Sequence, residues 1–399
     1  MIFISSFFFE YGDGISIGRM LLSVAILLVA SDGVLAQVPT PAHVVIVIEE
    51  NHDYSQIIGS SAAPYINALA ADANGALFTH SSALTHPSQP NYLMLFSGSN
   101  QGVTNDNVPA GLPFNSPNLG ASLTYSGRSF AGYSEDLPSV GFTGASSGAY
   151  ARKHNPWVNW QNSTVNGTPL NANLPLTSFP SDYDSLPSVS FVVPNQDNDM
   201  HNGSDPSTIS AGDTWVRTHL DSYVQWAKAN NSLFILTFDE GTNSGSNQIV
   251  TIFVGAMVKP GRYTESINHY SLLRTLEEMF GLPHAAGSLS VTSLTDCWTV
   301  ATGTRAAGEP VPRSTLLRQC YPNPFNPRTV ISYYLAVVSE VKLLVYDVLG
   351  RMVAVLVDEV KMPGSHSVAF DGSGLGSGVY FCQFKAGTVF QARKMVLAK

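Results

Sequence analysis

Charged residues are scarce in this chain. Only 12% of its 399 residues are Asp, Glu, Lys or Arg, whereas 44% are hydrophobic. Residues 1–319 hold 12 Lys and Arg against 24 Asp and Glu, a net charge of −12, and residues 320–399 hold 8 against 5, a net charge of +3. An acidic segment repels phosphate, so nucleic acid is not expected as a partner, and a phosphate substrate would need a cation beside it.

Cysteine is nearly absent. The chain has three, Cys297, Cys320 and Cys382, and this odd number provides no disulfide framework, although a Cys297–Cys320 pair stays open. No Cys-x-x-Cys spacing occurs, which argues against a cysteine-bound zinc site.

Long hydrophobic runs are also lacking, so no stable transmembrane segment is expected. The run at residues 20–30 follows Arg19 and precedes Val34-Leu35-Ala36, an arrangement typical of an export signal cleaved before Gln37. Residues 1–36 are therefore predicted to be a signal peptide, with Met20 as an alternative start of translation. An uncleaved anchor is the competing interpretation.

The remaining pattern predicts an α/β domain. Continuous β-branched and aromatic runs predict strands buried on both faces at 43–48, 189–193, 233–238 and 249–254, with a short strand at 76–78. Helices are predicted at 64–74, 208–230 and 270–280. Alternating strands and helices indicate a parallel sheet, and residues 98–182, which lack periodicity, are expected to form loops over its carboxyl edge.

Acidic and histidine residues follow three of these strands. Glu49-Glu50-Asn51 follows the first, residues 197–201 follow the second, and Asp239-Glu240 follows the third. Because the carboxyl ends of parallel strands meet at one edge, these residues should converge there and bind a divalent metal. The oxygen ligands of a first set suit calcium, magnesium or manganese, and this set is Glu50, Asn51, Asp239 and Glu240. The oxygen and nitrogen ligands of a second set suit zinc, manganese or iron, and this set is Asp197, His201 and His269.

Ser88 lies where a polar loop meets the hydrophobic run 92–96. Pro90 suits the first turn of a helix, so Ser88 is predicted at or near the N-cap, beside free N–H groups and the positive end of the helix dipole. The hydroxyl is either a simple cap or, beside a metal, a nucleophile toward a phosphate ester. A Ser-His-Asp acyl hydrolase is the alternative chemistry, but no Gly-x-Ser-x-Gly elbow is expected in this chain, since Phe96-Ser97-Gly98-Ser99 does not fit, and a triad needs fewer carboxylates.

Five motifs follow one another along the chain: Ile48-Glu49-Glu50-Asn51-His52, His86-Pro87-Ser88-Gln89-Pro90-Asn91-Tyr92, Asn198-Asp199-Met200-His201, Thr237-Phe238-Asp239-Glu240 and Asn268-His269-Tyr270-Ser271-Leu272-Leu273. In this order they resemble the phosphoesterase family of bacterial acid phosphatases and phospholipase-C-type enzymes, whose fold is similar to the alkaline phosphatase superfamily. The resemblance covers about residues 40–300. It implies a phosphoserine intermediate on Ser88, which would also complete the metal shell formed by Glu50, Asn51, Asp239 and Glu240.

The same resemblance implies roles for further residues. Asp197, His201 and His269 would hold a second metal, contact phosphate or protonate the leaving group, and the choice between Asp197 and Asp199 stays open. His86 and Asn105 are candidate phosphate contacts. Tyr92 is expected to belong to the core. One or two metal ions are compatible with this pattern.

From about Cys320 the pattern changes to short strands separated by turns, which predicts a small all-β sandwich. Four motifs there resemble the C-terminal sorting domain of the type IX secretion system: Tyr321-Pro322-Asn323-Pro324-Phe325-Asn326-Pro327, Val345-Tyr346-Asp347-Val348-Leu349-Gly350-Arg351, Leu375-Gly376-Ser377-Gly378-Val379-Tyr380 and Lys394-Met395-Val396-Leu397. This resemblance implies that type IX machinery exports the protein through the periplasm and across the outer membrane, to the cell surface or the medium.

The sequence thus predicts a signal peptide at 1–36, a catalytic domain at 37–302, a linker at 303–319 and a sorting domain at 320–399. The expected function is that of a secreted, metal-dependent phosphoesterase acting on small phosphate monoesters. Phosphodiesterase or phospholipase C activity on phospholipid head groups is the first alternative. An inactive surface-binding module of the same fold is the second.

Overall fold

The computed structural model describes residues 38–299, 315–317, 320, 323–335, 339–361 and 364–399. The predicted signal peptide and most of the predicted linker lie outside these residues. No helix in the described part of the chain is both long and hydrophobic enough to cross a membrane.

An eight-stranded sheet forms the centre of the first domain. Its strands are β1 (His43–Glu49), β2 (Gly75–Ser82), β3 (Phe130–Ser134), β4 (Asn173–Pro175), β5 (Val189–Val193), β6 (Ser232–Phe238), β7 (Gln248–Val254) and β8 (Gly261–Asn268). Their order is β8-β2-β7-β6-β1-β5-β3-β4. Within this sheet β7 runs antiparallel to both of its neighbours, and the other pairs are parallel.

The α/β prediction is confirmed, although the sheet is mixed where a purely parallel one is expected. The described residues 239–247 connect β6 to β7 without a helix. A return without a crossover places the next strand antiparallel to the one before it, so β7 runs against β6.

Helices cover both faces of the sheet. They are α1 (Tyr54–Ile57), α2 (Pro64–Ala70), α3 (Ser88–Ser97), α4 (Leu119–Tyr125), α5 (Ser207–Ala227) and α6 (His269–Phe280). Successive side chains of β1 point to opposite faces, as expected for a strand buried on both sides. Val44 and Ile46 pack in one core with α3, α4 and α6, whereas Val45 and Val47 pack in the other with α1, α2 and α5. The domain therefore has three layers.

The strands that the sequence pattern misses are short or lie at an edge. In β3, Gly132 lies against Trp157, where an added Cβ would come within 2.0 Å of the indole. A small residue is thus required at a position where a hydrophobic run would otherwise continue. In β8 most side chains are at least partly exposed, because this strand forms the edge of the sheet. Helix α2 ends at Ala70, four residues before its predicted end.

The last part of the chain is all β, as predicted. Its strands are β9 (Leu316–Leu317), β10 (Arg328–Leu335), β11 (Ser339–Asp347), β12 (Met352–Lys361), β13 (Gly364–Asp371), β14 (Gly378–Ala386) and β15 (Val389–Leu397). They form two antiparallel sheets in the orders β9-β10-β13 and β12-β11-β14-β15. Burial alternates along β10, and these strands share a core of their own. Within the described residues, Cys297, Cys320 and Cys382 are all buried and none forms a disulfide.

Helix α6 carries a buried carboxyl group outside any acidic cluster. Glu277 accepts hydrogen bonds from the Ala285 amide at 2.8 Å and from the Ser288 hydroxyl at 2.6 Å. Burial nevertheless raises the pKa of Glu277 to about 8, because the two hydrogen bonds do not replace the lost hydration of the charged form. The neighbouring Glu278 is half-exposed, and its hydrogen bond with His284 lowers the pKa of that carboxyl.

We expect Glu277→Gln to change how stability depends on pH. Between the ordinary glutamate pKa of 4.5 and about 8, the folded state keeps a proton that the unfolded chain has lost. The free energy of unfolding therefore falls as pH rises through this window. Without this carboxyl the fall is smaller, so the Tm of the variant relative to that of the wild type should increase from pH 5 to pH 8.

The matched control for this experiment is Glu278→Gln. The pKa of Glu278 is lowered from 4.5, so its stabilising contribution is complete above that pH and is lost only below it. The Tm of Glu278→Gln relative to the wild type should therefore stay nearly constant from pH 5 to pH 8. Thermal melts across this range check both expectations. A Glu277→Gln difference that stays constant with pH would contradict the burial argument.

Candidate functional site

Three carboxylates meet at the carboxyl edge of the sheet. Strands β5, β1 and β6 are parallel neighbours, and Asp199, Glu50 and Asp239 follow them. Backbone pairing continues past the strand ends, since the Glu50 amide donates to the Asp199 carbonyl at 2.8 Å and the Asp239 amide donates to the Glu49 carbonyl at 3.0 Å. The backbone thereby fixes these carboxylates close together.

The backbone conformation of Asn51 turns the chain at the end of β1. Asn51 has a φ of 52°, in the left-handed region that asparagine tolerates better than most residues. Its amide donates to Asp239 Oδ1 at 3.2 Å, and its Nδ2 donates to Glu50 Oε2 at 3.2 Å. Asn51 thus links the carboxylates that follow β1 and β6.

Ser88 is the first residue of α3, and Pro90 lies in the first turn, consistent with the predicted helix start. The side chain is buried, and its Oγ lies within hydrogen-bond distance of Glu50 Oε2 at 3.0 Å and of Glu240 Oε1 at 3.3 Å. A hydroxyl at a helix N-terminus is thus held between two carboxylates. Of the next two residues in the first turn, Gln89 uses its amide to donate to Asp106 Oδ1 at 3.0 Å and Pro90 has no amide hydrogen, so what lies beside the hydroxyl is chiefly the positive end of the helix dipole.

His154 completes this cluster, although the sequence analysis does not identify it. Its Nε2 lies 2.9 Å from Glu50 Oε1, and its Nδ1 lies 3.2 Å from Asp199 Oδ2. Tyr92 donates to Glu50 Oε1 at 2.9 Å and stacks on the His154 ring, with ring centroids 5.1 Å apart and an interplanar angle of 15°. Tyr92 is buried, as predicted, yet it also contacts the site.

A sequence signal for His154 does exist. It follows Arg152 and Lys153, the only adjacent pair of basic residues within the acidic residues 1–319. These residues lie in the region 98–182, where hydrophobic periodicity is weak. The structure places Arg152–His154 in a 3-10 helix followed by another at Pro156–Trp160, with Trp157 and Trp160 fully buried.

Burial and the charges of neighbouring groups together set the pKa values of the cluster. Burial opposes the charged form of His154, but the carboxylates of Glu50 and Asp199 outweigh it and raise the His154 pKa to about 9. Burial likewise opposes the charged form of Glu50, but the charge of His154 outweighs that effect and lowers the Glu50 pKa to about 2. Burial and then the charges of Glu50 and Glu240 raise the pKa of Asp239 well above its usual range.

The donor atoms fit a divalent cation. Glu50, His154 and Asp199 are buried and offer one ligand atom each, all within 4.8 Å of one another. The Oδ2 atom of Asp239 is buried and accepts no hydrogen bond within the part of the chain that the structure describes. A buried carboxylate oxygen without a partner is costly, and a cation beside it would remove that cost. Carboxylate oxygen and imidazole nitrogen together suit several divalent metals.

The remaining predicted histidines surround this cluster. His86 Nδ1 lies 2.9 Å from Glu240 Oε2, and 31% of its side chain is exposed. His269 is buried at the start of α6, where its Nε2 donates to the Asp239 carbonyl at 2.7 Å. Burial lowers the pKa of His269 to about 4, so its ring is neutral at physiological pH. His201 is half-buried, with its ring centroid 6.3 Å from that of His154.

Two predicted residues lie apart from the cluster. Asp197 is exposed and accepts from Asn202 Nδ2 at 2.8 Å, whereas the buried carboxylate of that loop is Asp199. Asn105 is exposed, and its carbonyl accepts from Gln89 Nε2 at 2.8 Å. Both residues are held in surface loops, so the structure gives neither of them a contact with the carboxylates.

Residues 144–148 do have the spacing Gly-x-Ser-x-Gly. Ser146 is exposed on the two-residue strand Ser146–Ser147, which pairs with Tyr150–Ala151. An acyl-hydrolase nucleophile instead occupies a sharp turn between a strand and a helix. The motif therefore does not support the acyl-hydrolase alternative.

Known proteins resemble this chain in both of its parts. The model of the phosphoesterase family matches residues 60–283, and that of a secretion system C-terminal sorting domain matches residues 319–398. A phosphatidylinositol-3-phosphatase of Mycobacterium tuberculosis is 49% identical over 262 residues, which are 65% of this chain and 84% of that protein. An acid phosphatase of Aspergillus fumigatus is 33% identical over 228 residues, which are 52% of this chain and 49% of that protein.

The chain spans only 49% to 58% of the acid phosphatases that it matches. Among solved structures, a protein of the alkaline phosphatase superfamily from Vibrio parahaemolyticus has a TM-score of 0.44 and 12% identity, over 89% of this chain and 84% of that chain. A likeness of this degree assigns no chemistry.

The match to the phosphoesterase family covers more than half of the chain. It includes Ser88, His154, Asp199, Asp239 and Glu240, whereas Glu50 precedes it. The sorting domain at the other end indicates export and contact with the secretion machinery. The chain therefore belongs to the phosphoesterase family, and it is a phosphoric ester hydrolase that is secreted or displayed at the cell surface by its type IX sorting domain.

Proposed function

We propose that the protein hydrolyses phosphate monoesters through a phosphoserine on Ser88, with a divalent metal in the carboxylate cluster. The observation that carries this proposal is the placement of Ser88 Oγ at a helix N-terminus, 3.0 Å from Glu50 and 3.3 Å from Glu240. A serine that only caps a helix has no need of two carboxylates. Relatives named as acid phosphatases and as a phosphatidylinositol-3-phosphatase support monoesters as substrates.

The reaction follows from these contacts. Ser88 Oγ attacks phosphorus while its proton passes to Glu240, and the bond between phosphorus and the leaving oxygen breaks. The positive end of the α3 dipole stabilises the phosphate oxygens. Half-exposed His86, oriented by Glu240, donates a proton to the leaving alcohol. Water then attacks the phosphoserine, which releases phosphate and returns Ser88 to its starting state.

The metal would lie among Glu50, Asn51, Ser88, Asp239 and Glu240, and Asp199 and His154 extend the set of ligands. When bound, the ion offsets the charge of the phosphate and lowers the pKa of the serine hydroxyl. His269 keeps the Asp239 backbone in position through its bond to the carbonyl. His201 lies beside His154 and is the candidate for a further phosphate contact. Exposed Asp197 and Asn105 have no role in this mechanism.

The expected domain boundaries belong to the same proposal. Residues 37–302 form the catalytic domain, residues 303–319 form a linker, and residues 320–399 address the protein for export. Phosphodiester substrates are the alternative within the same site. The complete carboxylate cluster around Ser88 disfavours an inactive binding module.

Ser88→Ala should lower kcat toward p-nitrophenyl phosphate by about a thousandfold or more, because it removes the nucleophile. The control is Ser97→Ala in the same helix, where the buried hydroxyl bonds only within the last turns and the following loop. That variant should lose stability and keep its turnover. Near wild-type turnover by Ser88→Ala would exclude the phosphoserine. Turnover of bis-p-nitrophenyl phosphate alone would assign the protein as a diesterase.

Removal of metal should lower Tm by several degrees, since a ligand at about 100 times its Kd contributes roughly 2.7 kcal/mol. Thermal melts after chelation, then with each divalent ion restored, identify the metal without relying on activity. Asp239→Asn should abolish most of this response. Asp213→Asn is the control, because Asp213 is also buried but accepts from the Tyr65 and Ile66 amides outside the cluster. An equal rise in Tm on addition of metal in both variants would show that the ion binds outside the cluster.

A chain truncated after residue 303 should keep kcat/KM within about twofold of the full chain, because the sorting strands have a separate core. Steady-state kinetics on p-nitrophenyl phosphate and a melting curve check this. Loss of folding or turnover would show that the domain boundary is misplaced.

A further inference from the structure

A cavity of about 180 Å³ opens beside the candidate active site. Gln89, which follows the proposed nucleophile Ser88, lines it on one side, and Arg152 and Lys153, which precede His154, line another. The cavity is therefore bordered by the first turn of α3 and by the 3-10 helix that supplies His154 to the cluster. A substrate whose phosphate lies at Ser88 can extend its remaining part toward this cavity.

Arg152 is the unusual residue of this cavity. The residue is only 3% exposed, and its Nε and Nη1 atoms are buried with no hydrogen-bond partner in the described residues. Arginine carries a permanent charge, so two buried guanidinium nitrogens without acceptors are unfavourable. The segment 1–319 has twice as many acidic as basic residues, yet no described carboxylate forms an ion pair with Arg152.

The neighbouring charges do not neutralise Arg152. Lys153 Nζ lies 3.1 Å from Asp106 Oδ2, and Asp106 Oδ1 accepts from the Gln89 amide at 3.0 Å. That carboxylate is therefore already paired with lysine and fixed to α3. One lysine, one aspartate and one unpaired arginine leave the lining of the cavity with a net positive charge.

A purely structural role does not account for this arrangement. An aliphatic side chain would fill the same space without the desolvation of a charged group, and replacing buried charges by hydrophobic residues is often neutral or stabilising. Tyr150, close in sequence, also has a buried hydroxyl without a partner in the described residues. Tyr150 does not line the cavity, whereas Arg152 does, and its two unused donors indicate an absent acceptor, namely a ligand with anionic oxygens.

We propose that this cavity binds a second anionic group of the substrate, so that the enzyme prefers phosphate monoesters whose alcohol portion carries a further phosphate or carboxylate. Arg152 holds this group, and Gln89 and Lys153 border it. The inference rests on the proposed function, because it assigns the leaving-group side of the same site. It assigns Arg152 to specificity and gives it no part in bond cleavage.

The test compares two substrates that differ only in the second group, propane-1,3-diol monophosphate and propane-1,3-diol bisphosphate, with the full chain and its metal. The wild type should have the higher kcat/KM for the bisphosphate. Arg152→Met should lower the ratio of the two kcat/KM values by about tenfold to a hundredfold, the range expected for hydrogen bonds to a charged group. Arg217→Met, which changes an exposed arginine of α5, should leave the ratio unchanged.

Thermal melts separate this role from a structural one. Arg152→Met should melt at or above the wild-type temperature, because it removes an unpaired buried charge. A lower Tm together with an equal fall in kcat/KM for both substrates would overturn the proposal. A wild type whose kcat/KM is not higher for the bisphosphate would also overturn it. If the wild type hydrolyses neither substrate, the proposed function itself fails, whereas an unchanged ratio with good monophosphate turnover rejects only the anion cavity.

A second comparison distinguishes soluble from lipid sources of the anion. Inositol 1,3-bisphosphate in solution and phosphatidylinositol 3-phosphate in phosphatidylcholine vesicles both carry a second phosphate. If Arg152→Met lowers kcat/KM for both of these substrates more than it lowers kcat/KM for propane-1,3-diol monophosphate, the shared anion chemistry is supported. If kcat/KM falls selectively for only one of the two substrates, the proposal is supported and the source of the anion is identified. No selective loss with either overturns it.

Discussion

The concentration of negative charge at the carboxyl edge of the sheet is the constraint on which this structure depends. Glu50, Asp199, Asp239 and Glu240 are all buried and lie in one small region. Carboxylates so placed repel one another and lose their hydration, so the fold needs donors and cations around them. Each contact of the site can be understood as a response to this requirement, from the Asn51 amide to the buried ring of His154.

The carboxylates and the positively charged groups around them come from different parts of the chain. The regular sheet supplies the carboxylates, since backbone pairing between parallel strands continues to the residues that follow them. The irregular region 98–182 supplies the positive groups, with Arg152, Lys153 and His154 consecutive on one 3-10 helix. Buried Trp157 and Trp160 anchor the next turn, so an irregular backbone still holds these side chains firmly.

The charges on that short helix have different partners. His154 faces the carboxylates, Lys153 pairs with Asp106, and the Nε and Nη1 atoms of Arg152 have no acceptor among the described residues. In the proposed mechanism, bonds would break at the carboxylate cluster beside His154, and the leaving group would be recognised at the cavity beside Arg152. The sorting strands have a hydrophobic core of their own, and the match to a sorting domain indicates export.

The sequence by itself determined the α/β class, the sorting domain and the position of Glu50, Asn51, Ser88, Asp239 and Glu240 at the ends of regular elements. The α/β class and these positions follow from local patterns, because a hydrophobic run shows where a strand ends and which residue follows it, whereas the sorting domain follows from the resemblance of its motifs. Only the tertiary structure shows which aspartate of its loop lies in the buried cluster: Asp199 lies beside His154, whereas Asp197 is exposed. Contacts such as Ser88 to Glu240 join residues 152 positions apart, and the antiparallel direction of β7 depends on a connection without a helix. Local periodicity predicts neither the contact between Ser88 and Glu240 nor the direction of β7, since both arise from how distant segments pack.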